Sequence, residues 1–165
     1  MMRIPTFAAA AAAVLCTLLS SVQGVAASTA AQQLDRLFER STLQIATPDA
    51  RLHKIDVWVA DDEQRRARGL MFVEQLDDDA GMLFIYPQAQ PISMWMKNTP
   101  LSLDMLFVTA DGRVHHIVES TKPMSLDTIS SDGIVMAVIE LKAGSAARMK
   151  IRPGARVIHP VFKPN

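Results

Sequence analysis

From Leu43 onward the apolar residues return at every second position in short runs, and this spacing ties the chain to strands more tightly than anything else in it. Leu43 and Ile45, then Ile55, Val57 and Val59, alternate with polar neighbours, the period of a half-buried strand rather than of a helix. Residues 82–86, 93–97, 103–108, 114–119 and 134–141 are further strand candidates, and residues 156–162 supply a last one. Turn residues punctuate the runs. Pro48-Asp49-Ala50 separates the first two, and Asp111-Gly112 favours the type I′ turn whose twist suits a hairpin. Arg152-Pro153-Gly154-Ala155 has proline and glycine where a type II turn needs them.

Helical signals are few. Asp61-Asp62-Glu63 place negative charge where a helix would begin, Arg65, Arg66 and Arg68 place positive charge where it would end, and Gly69 can cap it. Residues 145–151 predict a second short helix, and the apolar spacing of residues 34–40 suits two helical turns. Short strands with tight turns predict a mainly β fold, a compact β-sandwich or barrel-like domain with one or two short helices. It is expected over residues 41–165, with residues 28–40 as an N-terminal tether.

The first 27 residues are of another kind. Arg3 supplies a short positive start, residues 7–19 are rich in alanine and leucine, and Val25-Ala26-Ala27 fits a small-residue cleavage site. No acidic residue precedes Asp35. These are the marks of a cleavable signal peptide over residues 1–27 and of a periplasmic or secreted product. Ser20, Ser21, Gln23 and Gly24 interrupt the apolar stretch, leaving it short for about 30 Å of hydrocarbon, so no stable membrane anchor is expected after cleavage.

Cleavage removes Arg3 alone among the charged residues, so 17 basic against 17 acidic side chains become 16 against 17. Near-neutrality argues against a nucleic acid or an anionic membrane as partner. A small molecule or another exported protein is the partner expected, and no cofactor is implied. Cys16 is the only cysteine and leaves with the signal, so the exported chain is expected to hold no disulfide, thiolate metal site or cysteine nucleophile.

Several strings, taken in order, carry a resemblance. They are Arg68-Gly69-Leu70-Met71, Gly81-Met82-Leu83-Phe84, Met94-Trp95-Met96-Lys97-Asn98-Thr99, Leu103-Asp104-Met105-Leu106-Phe107 with Asp111-Gly112, and Val138-Ile139-Glu140-Leu141 with Ala143-Gly144. From about Leu43 to His159 the chain resembles the family catalogued as domain of unknown function 192. The resemblance implies a compact, mainly β fold, often exported, with no agreed activity. Members often carry cysteine near residues 124–131, where this chain has none, so any cysteine-based role of such relatives is closed to it.

The segment from Ser93 to Val108 concentrates the candidate chemistry. Read as a hairpin with Lys97 opposite Asp104, it gathers Met94, Met96, Met105 and Phe107 on one apolar face. The other face then holds Ser93, Trp95, Lys97, Asp104, Leu106 and Val108. Asp104 in an apolar strand needs a partner, and Lys97 is the expected one. One reading is a structural ion pair that fixes the hairpin. The other is a ligand site, with Trp95 as a platform for an apolar or sugar-like ring and Lys97, Asn98 and Asp104 as convergent polar groups. Arg68 is a further anion contact. Glu140, also in an apolar strand, is a second polar group that wants a partner.

The leading expectation is therefore a binding or accessory module. An enzyme using Lys97 and Asp104 is the alternative, and a Cu(I) protein using Met94 and Met96 the third, since thioethers suit that ion. His115 and His116 point to opposite faces of a strand, and His53 and His159 are isolated, so no histidine metal site is expected. The sequence has no phosphate loop, zinc signature or serine elbow, and no catalytic constellation is expected.

Overall fold

A computed structural model describes residues 30–162. The expected signal peptide and its cleavage point lie outside the described residues. The described residues form seven strands: β1 (Glu39–Ala46), β2 (Leu52–Ala60), β3 (Ala80–Met94), β4 (Leu103–Val108), β5 (Val114–Val118), β6 (Ile129–Lys142) and β7 (Arg156–Ile158). Two short helices join them, α1 (Glu63–Arg68) and α2 (Ser145–Met149), and residues 30–35 are also helical.

The strands form one sheet in the order β5-β4-β6-β3-β2-β1-β7. β2 and β3 are parallel, and every other neighbouring pair is antiparallel. The sheet curls until its edges touch. An isolated bridge joins Arg113 to Arg156, and Val114 N donates to Ala155 O at 2.9 Å while Val157 N donates to Gly112 O at 2.7 Å. The fold is thus mainly β and barrel-like, as expected.

Both faces of this sheet are apolar, so it carries two cores. Leu43, Ile45, Ile55, Val57, Leu106, Val108, Ile139 and Val157 pack on one face, with Ala146 and Met149 of α2. Trp58, Met82, Phe84, Met105, Phe107 and Val138 pack on the other, covered by Leu34, Phe38, Leu70, Val73, Leu76 and Met96. β4 lies between β5 and β6 with all six residues buried. Within residues 30–40, the described part of the expected tether, the chain packs against the sheet. Leu34 and Phe38 enter the core, and Trp58 Nε1 donates to Asp35 at 2.8 Å.

Local sequence signals account for α1. The Asp62 carboxylate accepts from Arg65 N at 2.7 Å, satisfying a donor that the first helical turn leaves free. Gly69 ends the helix at φ 45°, with its N–H on Arg65 O at 2.9 Å. The basic residues fall in the last turn, where the helix dipole favours them.

One expected pairing is overturned. Residues 82–86 and 93–97 are not two strands, because β3 runs unbroken through 15 residues and ends at Met94. Nor do residues 93–97 form a hairpin with β4. β6 inserts between β3 and β4, so that Asp104 stands opposite Leu141 and Lys97 lies in a turn beyond the strand end. The expected apolar grouping survives this change. Met96, Met105 and Phe107 share one core with Met94 packed against it, through tertiary packing rather than a hairpin.

Candidate ligand-binding site

The loop of residues 95–102 is fixed by backbone bonds to its neighbours. Met96 N donates to Ser125 O at 3.1 Å, Phe72 N to Asn98 O at 2.8 Å and Met124 N to Thr99 O at 3.0 Å. Three of the residues in this weave have left-handed backbone: Phe72 at φ 65°, Asn98 at 53° and Met124 at 61°. For a bulky side chain that conformation costs about 1–3 kcal/mol and survives only where the surroundings enforce it.

Between this loop, α1 and the outer face of β3 and β6 lies a cavity of about 280 Å³. Arg66 and Arg68 reach it from α1, Tyr86 and Met94 from β3, Trp95 and Lys97 from the loop, and Glu140 from β6. Gly81 permits the close contact between β3 and β6 beside Glu140. A Cβ there would meet Glu140 O at 2.6 Å and Leu141 Cδ2 at 2.8 Å, so only glycine lets β3 approach β6 this way.

The cavity is rich in positive charge. Arg66, Arg68 and Lys97 have no carboxylate partner among the described residues. Arg66 is anchored by Nη1 to Asp61 O at 2.7 Å and Ile85 O at 2.8 Å, and its guanidinium lies 5.0 Å over the Tyr86 ring. Arg68 donates to Met71 O and lies 5.1 Å over Phe72, and burial holds its pKa below the ordinary value. Lys97 Nζ sits 5.3 Å over Trp95, which is 51 % exposed.

Glu140 is the opposite case. It is only 4 % exposed, and its Cα partners across the sheet are Met82 and Met105. Burial pushes its carboxyl up to about 8, so at neutral pH it keeps its proton and can donate a hydrogen bond. Burial also raises Tyr86, against a lowering influence from Arg66, with Glu140 adding to the rise. The Tyr86 hydroxyl donates to Met94 Sδ at 3.6 Å.

The expected site residues divide. Arg68, Trp95 and Lys97 line the cavity together. Asn98 stands beside it, its carbonyl holding the Phe72 turn and its side-chain amide donating to Met71 Sδ at 3.9 Å. Asp104 is elsewhere. It is fully buried on the other core face, where its carboxylate accepts from Ser120 N and Ala146 N, both at 2.9 Å. The expected Lys97–Asp104 pair is thus absent, because two backbone amides already satisfy the carboxylate. An enzyme built on that pair loses its basis.

Met94 and Met96 do not stand side by side on one strand face either, because the strand ends between them. Met94 Sδ meets the Tyr86 hydroxyl and Met96 Sδ accepts from Thr121 Oγ1 at 3.3 Å, so each thioether has its own neighbour. Sequence reasoning overlooked Arg66 and Tyr86 and noticed Glu140 only as an unpartnered group. The strings that carry the family resemblance supply most of the wall: Arg68-Gly69-Leu70-Met71, Phe84, Met94-Trp95, Lys97, Thr99 and Glu140.

The family model DUF192, described as an uncharacterized ACR, matches residues 44–159. The chain belongs to this family. It is similar to a Sinorhizobium meliloti 1021 protein provisionally named a transcription regulator, at 38 % identity and a TM-score of 0.74, over 76 % of this chain and 97 % of that one. It is also similar to a protein of unknown function from Novosphingobium aromaticivorans DSM 12444, at 30 % identity and a TM-score of 0.71, over 74 % of this chain and 86 % of that one. No curated protein matches it.

Proposed function

We propose that this chain is exported to the periplasm or secreted, and that there it binds a small organic oxyanion in the cavity under α1. One observation carries the reading: three cations without carboxylate partners, Arg66, Arg68 and Lys97, converge on a single concavity beside an exposed tryptophan. A carboxylate or phosphate supplies the missing counter-charge, and a flat or sugar-like ring suits the Trp95 face. The left-handed Phe72, Asn98 and Met124, in the backbone weave that fixes the loop carrying Trp95 and Lys97, fit a pre-organised site rather than a collapsed loop. Arg66 is tied down by two carbonyls, which leaves Arg68 and Lys97 as the adaptable anion contacts.

The test is calorimetric titration of the exported chain with a panel of ring-bearing carboxylates and phosphates. Saturable binding is expected, weakened about tenfold or more in Arg68→Ala with Lys97→Ala, a loss of about 1.4 kcal/mol. No saturable binding across the panel, or binding indifferent to the double variant, would overturn the proposal.

A further inference from the structure

We propose that Glu140 is the recognition group at the floor of this cavity. Its neutral carboxyl donates a hydrogen bond to an uncharged oxygen of the ligand, so the site selects hydroxy, keto or sugar acids over plain carboxylates and loses them when Glu140 ionises. This inference rests on the cavity being a ligand site, as proposed above.

The contrast between the two acids buried in the sheet motivates it. Asp104 has both carboxylate oxygens occupied by backbone amides. Burial is the one influence on the Glu140 carboxyl, with no hydrogen bond acting on it, and the residue is 4 % exposed. Among the described residues the sealed polar atom without a partner is His53 Nε2, so the Glu140 oxygens are open to the cavity that the residue lines. Buried polar groups are almost always bonded, and one left open calls for a reason. Its strand neighbours Met82 and Met105 offer none, and the cavity is the open space it lines.

The surrounding charges decide what kind of ligand would complete it. α1 presents Glu63, Arg66 and Arg68 to the cavity, β3 presents Tyr86, and the loop presents Lys97. With Glu140 neutral, three cations face one carboxylate, so an ammonium compound is repelled and an organic acid is drawn in. Its anionic group is held by Arg68 and Lys97, and an uncharged oxygen is left for Glu140. Ionisation removes the proton that makes this hydrogen bond and sets a second negative charge against the ligand. The loss should follow the rise of Glu140 towards about 8, so that at pH 9 roughly a tenth of the molecules remain competent and affinity falls about tenfold.

Two probes of similar ring size separate the possibilities. Glucuronate carries ring and hydroxyl oxygens beside its carboxylate, whereas cyclohexanecarboxylate has the carboxylate alone. Calorimetry of the exported chain from pH 6 to pH 9 should show glucuronate binding more tightly at pH 6 and weakening about tenfold by pH 9. Cyclohexanecarboxylate should bind weakly throughout. Glu140→Gln keeps a donor that cannot ionise and should retain glucuronate affinity at pH 6 without the alkaline loss. Glu140→Leu, which suits the surrounding methionines, should reduce glucuronate to the level of cyclohexanecarboxylate. If both acids bind equally to all three proteins with no alkaline loss, the site stands and the role of Glu140 falls. If neither acid binds the wild-type chain at any pH, the ligand-site reading falls and takes this inference with it.

Discussion

Replacing Glu140 by glutamine gives a stability experiment that needs no ligand. The carboxyl titrates near its ordinary value of 4.5 in the unfolded chain and near 8 in the folded one, because burial disfavours the charged form. Between those values the unfolded chain gives up a proton that the folded chain keeps. Stability contributed by the neutral acid is therefore full below pH 4.5 and declines as pH rises, levelling off above 8. At about 1.4 kcal/mol per pH unit in that window, wild type should lose about 3–4 kcal/mol from this group between pH 5 and pH 8. Glutamine has no proton to lose. Urea unfolding of both proteins at the two pH values gives a difference of differences in which packing changes and all other titrating groups cancel. The Gln variant should gain about 3–4 kcal/mol on wild type over that interval. Parallel stability profiles would refute the assignment of Glu140 as a buried neutral acid.

Further outcomes follow from the fold and the sequence. Asp104→Ala strands the amides of Ser120 and Ala146 and should cost about 3–5 kcal/mol in urea unfolding, whereas Lys97→Met should stay within about 0.5 kcal/mol. Equal effects would restore the idea of a Lys97–Asp104 pair. Gly81→Ala forces a Cβ against the Glu140 carbonyl and should cost about 1–3 kcal/mol. Gly133→Ala meets only the exposed His115 ring, which can swing away, and should cost less; the reverse order in thermal unfolding would contradict the packing described. Mass spectrometry of the exported chain should find its N-terminus at or within a few residues of Ser28, and an intact Met1 on membrane-bound material would refute processing.

The strands were legible because alternation is a local property. Residues 103–108 were read with their true limits, and Asp104, Leu106 and Val108 were placed on a common face. The caps of α1 and the turn at Gly154 were equally plain, Gly154 having the positive φ that its type II turn requires. At Asp111-Gly112 a turn forms with Gly112 at φ 81°, but Asp111 is not left-handed, so the turn is not the type I′ expected. Partners were not legible. Alternation fixes which face a side chain takes but not which strand lies beside it, and adjacency in sequence pointed to a hairpin that β6 interrupts. β3 was legible only as two separate runs, and the stretch between them holds Pro87 and Pro91. The chain accommodates them near irregularities in the β3–β6 register, between Ile85 and Gln90 and between Pro91 and Ser93, where the ladder shifts. Arg68, Trp95 and Lys97 stood out by residue type, but their meeting with Glu140 depends on that same long-range pairing, which no local pattern encodes.

The meeting of the sheet's two ends also bears on how the molecule behaves in a crowd of its own copies. An open row of backbone donors and acceptors is a template on which another chain can add a strand, and from there aggregates grow. Here the three-residue β7 and the start of β5 spend such groups on each other through Gly112, Val114, Ala155 and Val157. The longest remaining stretch is the part of β3 beyond Phe84, where β2 no longer accompanies it. Pro87 and Pro91 fall within that stretch, and each removes a donor that an incoming strand would need. The two prolines thus make the free side of β3 a poor seed for self-assembly.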